Sequence, residues 1–155
     1  MKTALLCETL AEYIRTEITD FNVKAAPEAN VAPWGHYMLA HRGEVLIWAD
    51  SFNYTMHEPR LENRSLTKKH HTKKQIRIVI SVGERTLDRL SLLDDAIEKI
   101  EELLTNLVIQ NLRAFAPVAT TKLTVDENRV FWRQMYFDTV YQFKIEPHGL
   151  PEEEA

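Results

Sequence analysis

The ten residues SLTKKHHTKK (65–74) hold Lys68, Lys69, His70, His71, Lys73 and Lys74 within seven positions. Side chains of these types can ligate a metal, neutralise phosphate or pair with carboxylates, and each use demands a different setting. A structural zinc site needs about four ligands at short repeated spacings, commonly with cysteine. Adjacent His70 and His71 cannot readily chelate one ion from an extended chain, and the neighbouring ammonium groups oppose a cation. His36 and His41 stand five positions apart in a connection. The spacing predicts no metal site. A nucleic-acid reader interleaves aromatics for stacking or sets arginines on a groove-reading helix. The cluster itself has neither, so at most nonspecific DNA contact is expected.

A third use is contact with an acidic protein surface, set against a loop that meets only solvent. From His57 to Arg77, seven Lys/Arg oppose two Glu, a net of +5; from Thr86 to Leu112, six Asp/Glu oppose two cations, a net of −4. The acidic segment places Asp94, Glu98, Glu101 and Glu102 on one side of a helix. Its ordinary role is a solvated face, because acid–base catalysis would need burial to shift a pKa. The chain has only four glycines and contains neither GxGxxG, a phosphate loop nor GxSxG. Ser65 and His70 have no spacing that implies a base with an orienting acid. Catalytic and cofactor-binding residues are expected to be absent, and the protein is read as a non-enzyme. Cys7, the single cysteine, lies among Leu6, Leu10, Ala11 and Ile14 and reads as a small buried side chain.

The elements that must position these residues follow from periodicity. Leu6, Leu10, Ile14 and Ile18 predict an amphipathic helix over about 3–19. FNVKAA is a short strand candidate, and HRG turns into the strand EVLIWAD. The span 51–74 reads as a long basic loop, longer than the roughly 12–15 residues of an ordinary structureless connection. Ile76, Ile78, Ile80 and Val82 share one face of a strand, with Val79 on the other. Leu90, Leu93, Ile97, Ile100, Leu104 and Leu107 mark the clearest helix, with Ser91 and Asp94 in a capping-box pattern and Thr86 as a competing start one turn earlier. A hairpin turning at 126–128 closes the chain, with Phe131, Met135, Phe137, Tyr141, Phe143 and Ile145 on its inner face. Trp132 and Tyr136 point the other way. Trp34, Trp48 and Trp132 could anchor an interface, although Trp48 is expected in the core.

With 155 residues, 45% of them hydrophobic, the chain predicts one domain over 1–146 and an acidic, frayed tail over 147–155. The expected class is α+β: a mixed, mainly antiparallel sheet with two helices packed on one face. A crossover through the long helix to a parallel strand would be right-handed. No signal peptide or membrane span is predicted, and a net charge of −4 gives no global field for DNA or membrane.

The order of elements, with HRGEVLIWADSFNY, the passage IRIVISVGERTLDRLSLLDDAIEKIEELL and the closing VFWRQMYFDTVYQFKI, resembles the phage tail terminator (tail-completion) proteins, including the Gp37-like family of contractile-tailed phages and prophages. The likeness spans about residues 6–145. It implies a small α+β subunit that assembles, typically as a hexameric ring, on the head-proximal end of the tail tube in the virion. Assembly would take place in the host bacterial cytoplasm, with the tail tube protein and a head-completion or neck protein as partners. It implies no catalysis and no cofactor. An alternative is a small adaptor or neck protein that uses the basic loop on nucleic acid. A ring interface needs two complementary patches. Lys68, Lys69, Lys73 and Lys74 against Glu98, Glu101 and Glu102 of a neighbour are the expected pair.

Overall fold

The computed structural model describes residues 2–25, 43–57, 70–127, 129–145 and 148–151. Its order is α1 (Thr3–Glu17), β1 (Phe21–Ala25), β2 (Gly43–His57), β3 (His70–Glu84), a 3-10 turn (Leu87–Arg89), α2 (Leu90–Leu104), β4 (Ala116–Thr120), β5 (Thr124–Val125) and β6 (Phe131–Ile145). The six strands form one sheet in the order β1-β2-β3-β6-β4, with β5 also on β6. Only β1 and β2 pair in parallel; the other pairs are antiparallel. This is the mixed sheet with two helices that the periodicity implies. The parallel neighbours, however, are β1 and β2, outside the α2 connection. That connection leads to β4, which runs in the direction of β3 but lies beyond β6.

Both helices bury most of the stripes that their spacing implies, but Leu90 is half-buried and Leu107, expected on the second stripe, lies past the end of α2 at Leu104. Leu6, Cys7, Leu10, Ala11 and Ile14 of α1, and Leu93, Ala96, Ile97, Ile100 and Leu104 of α2, are buried. They meet Val45, Ile47, Ile76, Ile78, Ile80, Val82, Met135 and Phe137 on one face of the sheet. Alternation along each strand puts these residues together, since i and i+2 share a face. α2 begins at Leu90 after Arg89, which makes no side-chain cap, so the expected capping box of Ser91 and Asp94 does not form. The preceding 3-10 turn uses the residues that such a box would need outside the helix. Thr139, polar on the inner face, is buried and donates its hydroxyl to the Arg113 carbonyl at 2.6 Å. That bond satisfies the group that burial would otherwise leave costly. Among the described residues, no helix is long and apolar enough to cross a membrane.

The opposite face carries a second cluster: Leu46, Trp48, Val79, Val130 and Trp132, with Tyr136 packed against it. A side chain at Gly83 would overlap the Trp132 ring, so the ring lies directly on the β3 backbone. Asp126 fixes the hairpin turn beside it. Its carboxylate accepts the Val130 amide and the Trp132 indole Nε1–H, both at 2.9 Å. Trp48 and Trp132 are therefore packed within the subunit; Trp34 lies outside the described residues.

The largest departure concerns the expected long loop. Residues 51–57 and 70–74 are paired strand, with Asn53 opposite Gln75 and Tyr54 opposite Lys74. Residues 51–57 alternate polar and apolar at strand period, and cross-strand pairing with β3 makes them a continuation of β2. Residues 58–69, including Lys68 and Lys69, lie outside the described residues.

Candidate interaction surface

β2, β3 and β6 are each fifteen residues long, and their neighbours are shorter. β1 pairs β2 only as far as Ile47, and β4 pairs β6 only as far as Asp138. Past those points the three strands continue together over 50–57, 70–75 and 139–145. Among the described residues, Leu112, bridged to Tyr141, and Arg113, whose amide bonds to Val140, are what borders this half of β6. Among the described residues, no strand borders this half of β2, and an edge strand is a template for another chain.

The helix-side face of the projecting half is aromatic. Phe52 and Tyr54 are 40% and 63% exposed. The Lys74 ammonium stands 4.4 Å from the Phe52 ring centre and 6.0 Å from that of Tyr54, within cation–π range. Tyr141 and Phe143 stack at 5.8 Å with their planes 19° apart. On the other face, Asp138 accepts the Arg77 guanidinium as a fork (Nε to Oδ1 at 2.9 Å, Nη2 to Oδ2 at 3.0 Å) and Gln75 Nε2 at 2.8 Å. The Arg77 hydrogen bonds, joined by that of Gln75, hold the Asp138 carboxyl below the usual carboxylate range.

Strand geometry divides the basic cluster. Lys74 alternates with Ile76 and Ile78 on the helix side, whereas Lys73 alternates with Gln75 and Arg77 on the reverse. Lys73 and Lys74, expected in a loop, are held in β3 within the single chain, and Lys74 has an apolar anchor in Phe52. Aromatics absent from the basic stretch itself reach it across the β2–β3 pairing. The alternation of Phe52 and Tyr54 with polar neighbours is the sequence signal for this strand; the bulge between Ala49 and Ser51 sets its face. Glu98, Glu101 and Glu102 are exposed on α2, as their spacing implies. Among the described residues, the one ion pair in which any of them takes part is Glu102 with Lys99, at 3.9 Å.

Glu44 is a buried carboxylate that the sequence reading passed over inside GEVLIWA. Its side chain is fully enclosed, takes the Lys24 ammonium at 3.0 Å and accepts Asn22 Nδ2 at 3.3 Å through Oε1. Burial raises its pKa, against the opposing pull of Lys24. Burial also pushes the Cys7 thiol up to about 11, helped by Glu8, so it stays protonated and unreactive near neutral pH. Among the described residues, no group of three or more His, Cys, Asp or Glu is placed to hold a metal. No protein-family model and no curated protein matches the chain.

Proposed function

We propose that the protein is a structural assembly subunit of a phage or phage-like tail. Copies join through unlike patches into a hexameric ring that caps the tail tube at its head-proximal end and offers a head-joining surface. Its partners are its own copies, the tail tube protein and a head-completion or neck protein. It works without catalysis or cofactor, in a tail assembled in the bacterial cytoplasm.

One observation carries the reading together with the sequence resemblance: three strands run on past the elements that cover them and present exposed aromatics beside Lys74. Exposed aromatic area on an open sheet is the kind of surface that a partner subunit covers. The acidic side of α2, with Glu98, Glu101 and Glu102, is its counterpart on the next copy. Lys74 meets that face, and Lys68 and Lys69 supply further positive charge. Lys73 serves the reverse side of the sheet. Charge would set register and encounter, and apolar burial would supply affinity. Mixing the purified protein with isolated tail tubes, followed by electron microscopy, tests this. Rings at one tube end are expected; a protein that never binds tubes would overturn the proposal.

A second reading, an adaptor for nucleic acid, gains from the same aromatics, since exposed rings flanked by lysines suit base stacking. It predicts retention of single-stranded DNA at physiological salt. The ring reading predicts binding that is weak and lost at moderate salt.

A further inference from the structure

Beside the outer half of β2, which no described strand borders, lies a groove of about 390 Å³, lined by Thr3, Ala4, Cys7, Glu8, Ala25, Ala49 and Phe52. It opens where β1 stops and α1 overhangs β2, and its floor is mainly apolar. We propose that this groove receives the C-terminal segment of a second copy, with Leu150 seated between α1 and β2 and Glu152–Glu154 turned toward Lys74. This rests on the assembly reading above and adds the link between neighbouring subunits.

Three observations select that occupant. Leu150 is a large apolar side chain left 95% exposed, and three glutamates follow Pro151. The groove has the complementary order, an apolar floor ending at Phe52, over which the Lys74 ammonium stands. Glu8, at the α1 side, disfavours the opposite orientation. The third is reach. Ile145 pairs with His70, whereas Phe52 and Ala49 pair with Ile76 and Ile78. Those levels are six to eight β3 residues away, roughly 20–26 Å at ~3.3 Å per residue. Leu150 is five residues past Ile145, a span of at most about 18 Å. The segment cannot fill its own groove and must enter that of another copy.

An extended segment laid parallel to β2 also suits the prolines. Pro147 and Pro151 fall on one lateral side, leaving residues 148, 150 and 152 to bond to the β2 edge.

The test uses the full chain and a labelled peptide, EPHGLPEEEA, read by fluorescence anisotropy. Saturable binding is expected, weakened at least tenfold by Leu150→Asp in the peptide and by Lys74→Glu in the protein. Cysteine trapping supplies an independent readout in a Cys7→Ser background. Ala4→Cys protein mixed with Leu150→Cys protein should give mainly the mixed disulfide dimer, and Thr9→Cys in place of Ala4→Cys should not. Equal binding of the two peptides, or no preference for the mixed dimer, would overturn the inference. Rings that persist in the full chain carrying Leu150→Asp would sink the tail link alone. Peptide binding by a chain that never caps tubes would instead count against the ring reading.

Discussion

The same three strands behave differently along their length. Where helices cover them, Ile78, Ile80, Val82, Met135 and Phe137 are buried and each is fixed by contacts within the subunit. Farther out, Phe52 and Tyr54 occupy the equivalent positions on the same face and are exposed. β3 and β6 cross the boundary without a break, and a bulge between Ala49 and Ser51 keeps Phe52 and Tyr54 of β2 on the helix side, so the change in exposure lies in what covers the sheet. The covered half stabilises the fold. On the assembly reading, the projecting half is the surface that a neighbouring copy covers.

Substitutions of matched chemistry should separate the halves most sharply. Phe137→Ala, in the covered half, should cost about 3–5 kcal/mol in chemical denaturation, because transfer and cavity costs add in a core that cannot collapse. Tyr54→Ala, in the projecting half, should change stability by less than about 0.5 kcal/mol and instead reduce assembly. Equal losses of stability would break the comparison.

Thr139 marks the boundary between the halves. Thr139→Val removes its bond to the Arg113 carbonyl while keeping the shape, and should cost about 1 kcal/mol, measured by the denaturation midpoint.

Two carboxylates should give opposite pH signatures. The Asp138 pKa is lowered in the fold. Its contribution is present above the unfolded value, about 3.9, and is lost as pH falls through the lower folded value. Asp138→Asn should therefore be less stable than wild type near neutral pH, the gap closing in acid. The Glu44 pKa is raised. Its contribution is complete below about 4.3 and is lost as pH rises through the folded value. Glu44→Gln should remove that decline, so its melting temperature gains on wild type as pH rises from 4 toward neutrality. Parallel curves for a variant and wild type would contradict its assigned shift.

Much of the architecture was legible because α1, α2 and β3 carry strong periodicity. Leu93, Ile97, Ile100 and Leu104 fall on a buried helical stripe, and Ile76, Ile78, Ile80 and Val82 on one strand face. The outer half of β2 was not legible in the same way. SFNYTMH alternates polar and apolar residues as a strand does, but the bulge before it and its pairing with residues 71–77 set its face, and no sequence window contains either. For the same reason the lysine cluster reads as one patch in sequence, whereas the strand puts Lys73 and Lys74 on opposite faces. Glu44 stayed hidden because burial of a carboxylate depends on Lys24 and Asn22 arriving from β1.

The smallest expected effect on stability belongs to charge, and its effect on assembly is the most direct test of the account. Exposed pairs are worth about 0.2–1 kcal/mol each, so several must change together. Light scattering on purified protein should give six times the 18.1 kDa chain mass at high concentration. Lys68, Lys69, Lys73 and Lys74 all changed to Glu should shift the mass toward one chain, with the melting temperature nearly unchanged. Adding Glu98, Glu101 and Glu102→Lys should restore part of the assembled mass. A single-chain mass for wild type at every concentration, or one mass shared by all three proteins, would contradict the claim that the projecting half is an assembly surface.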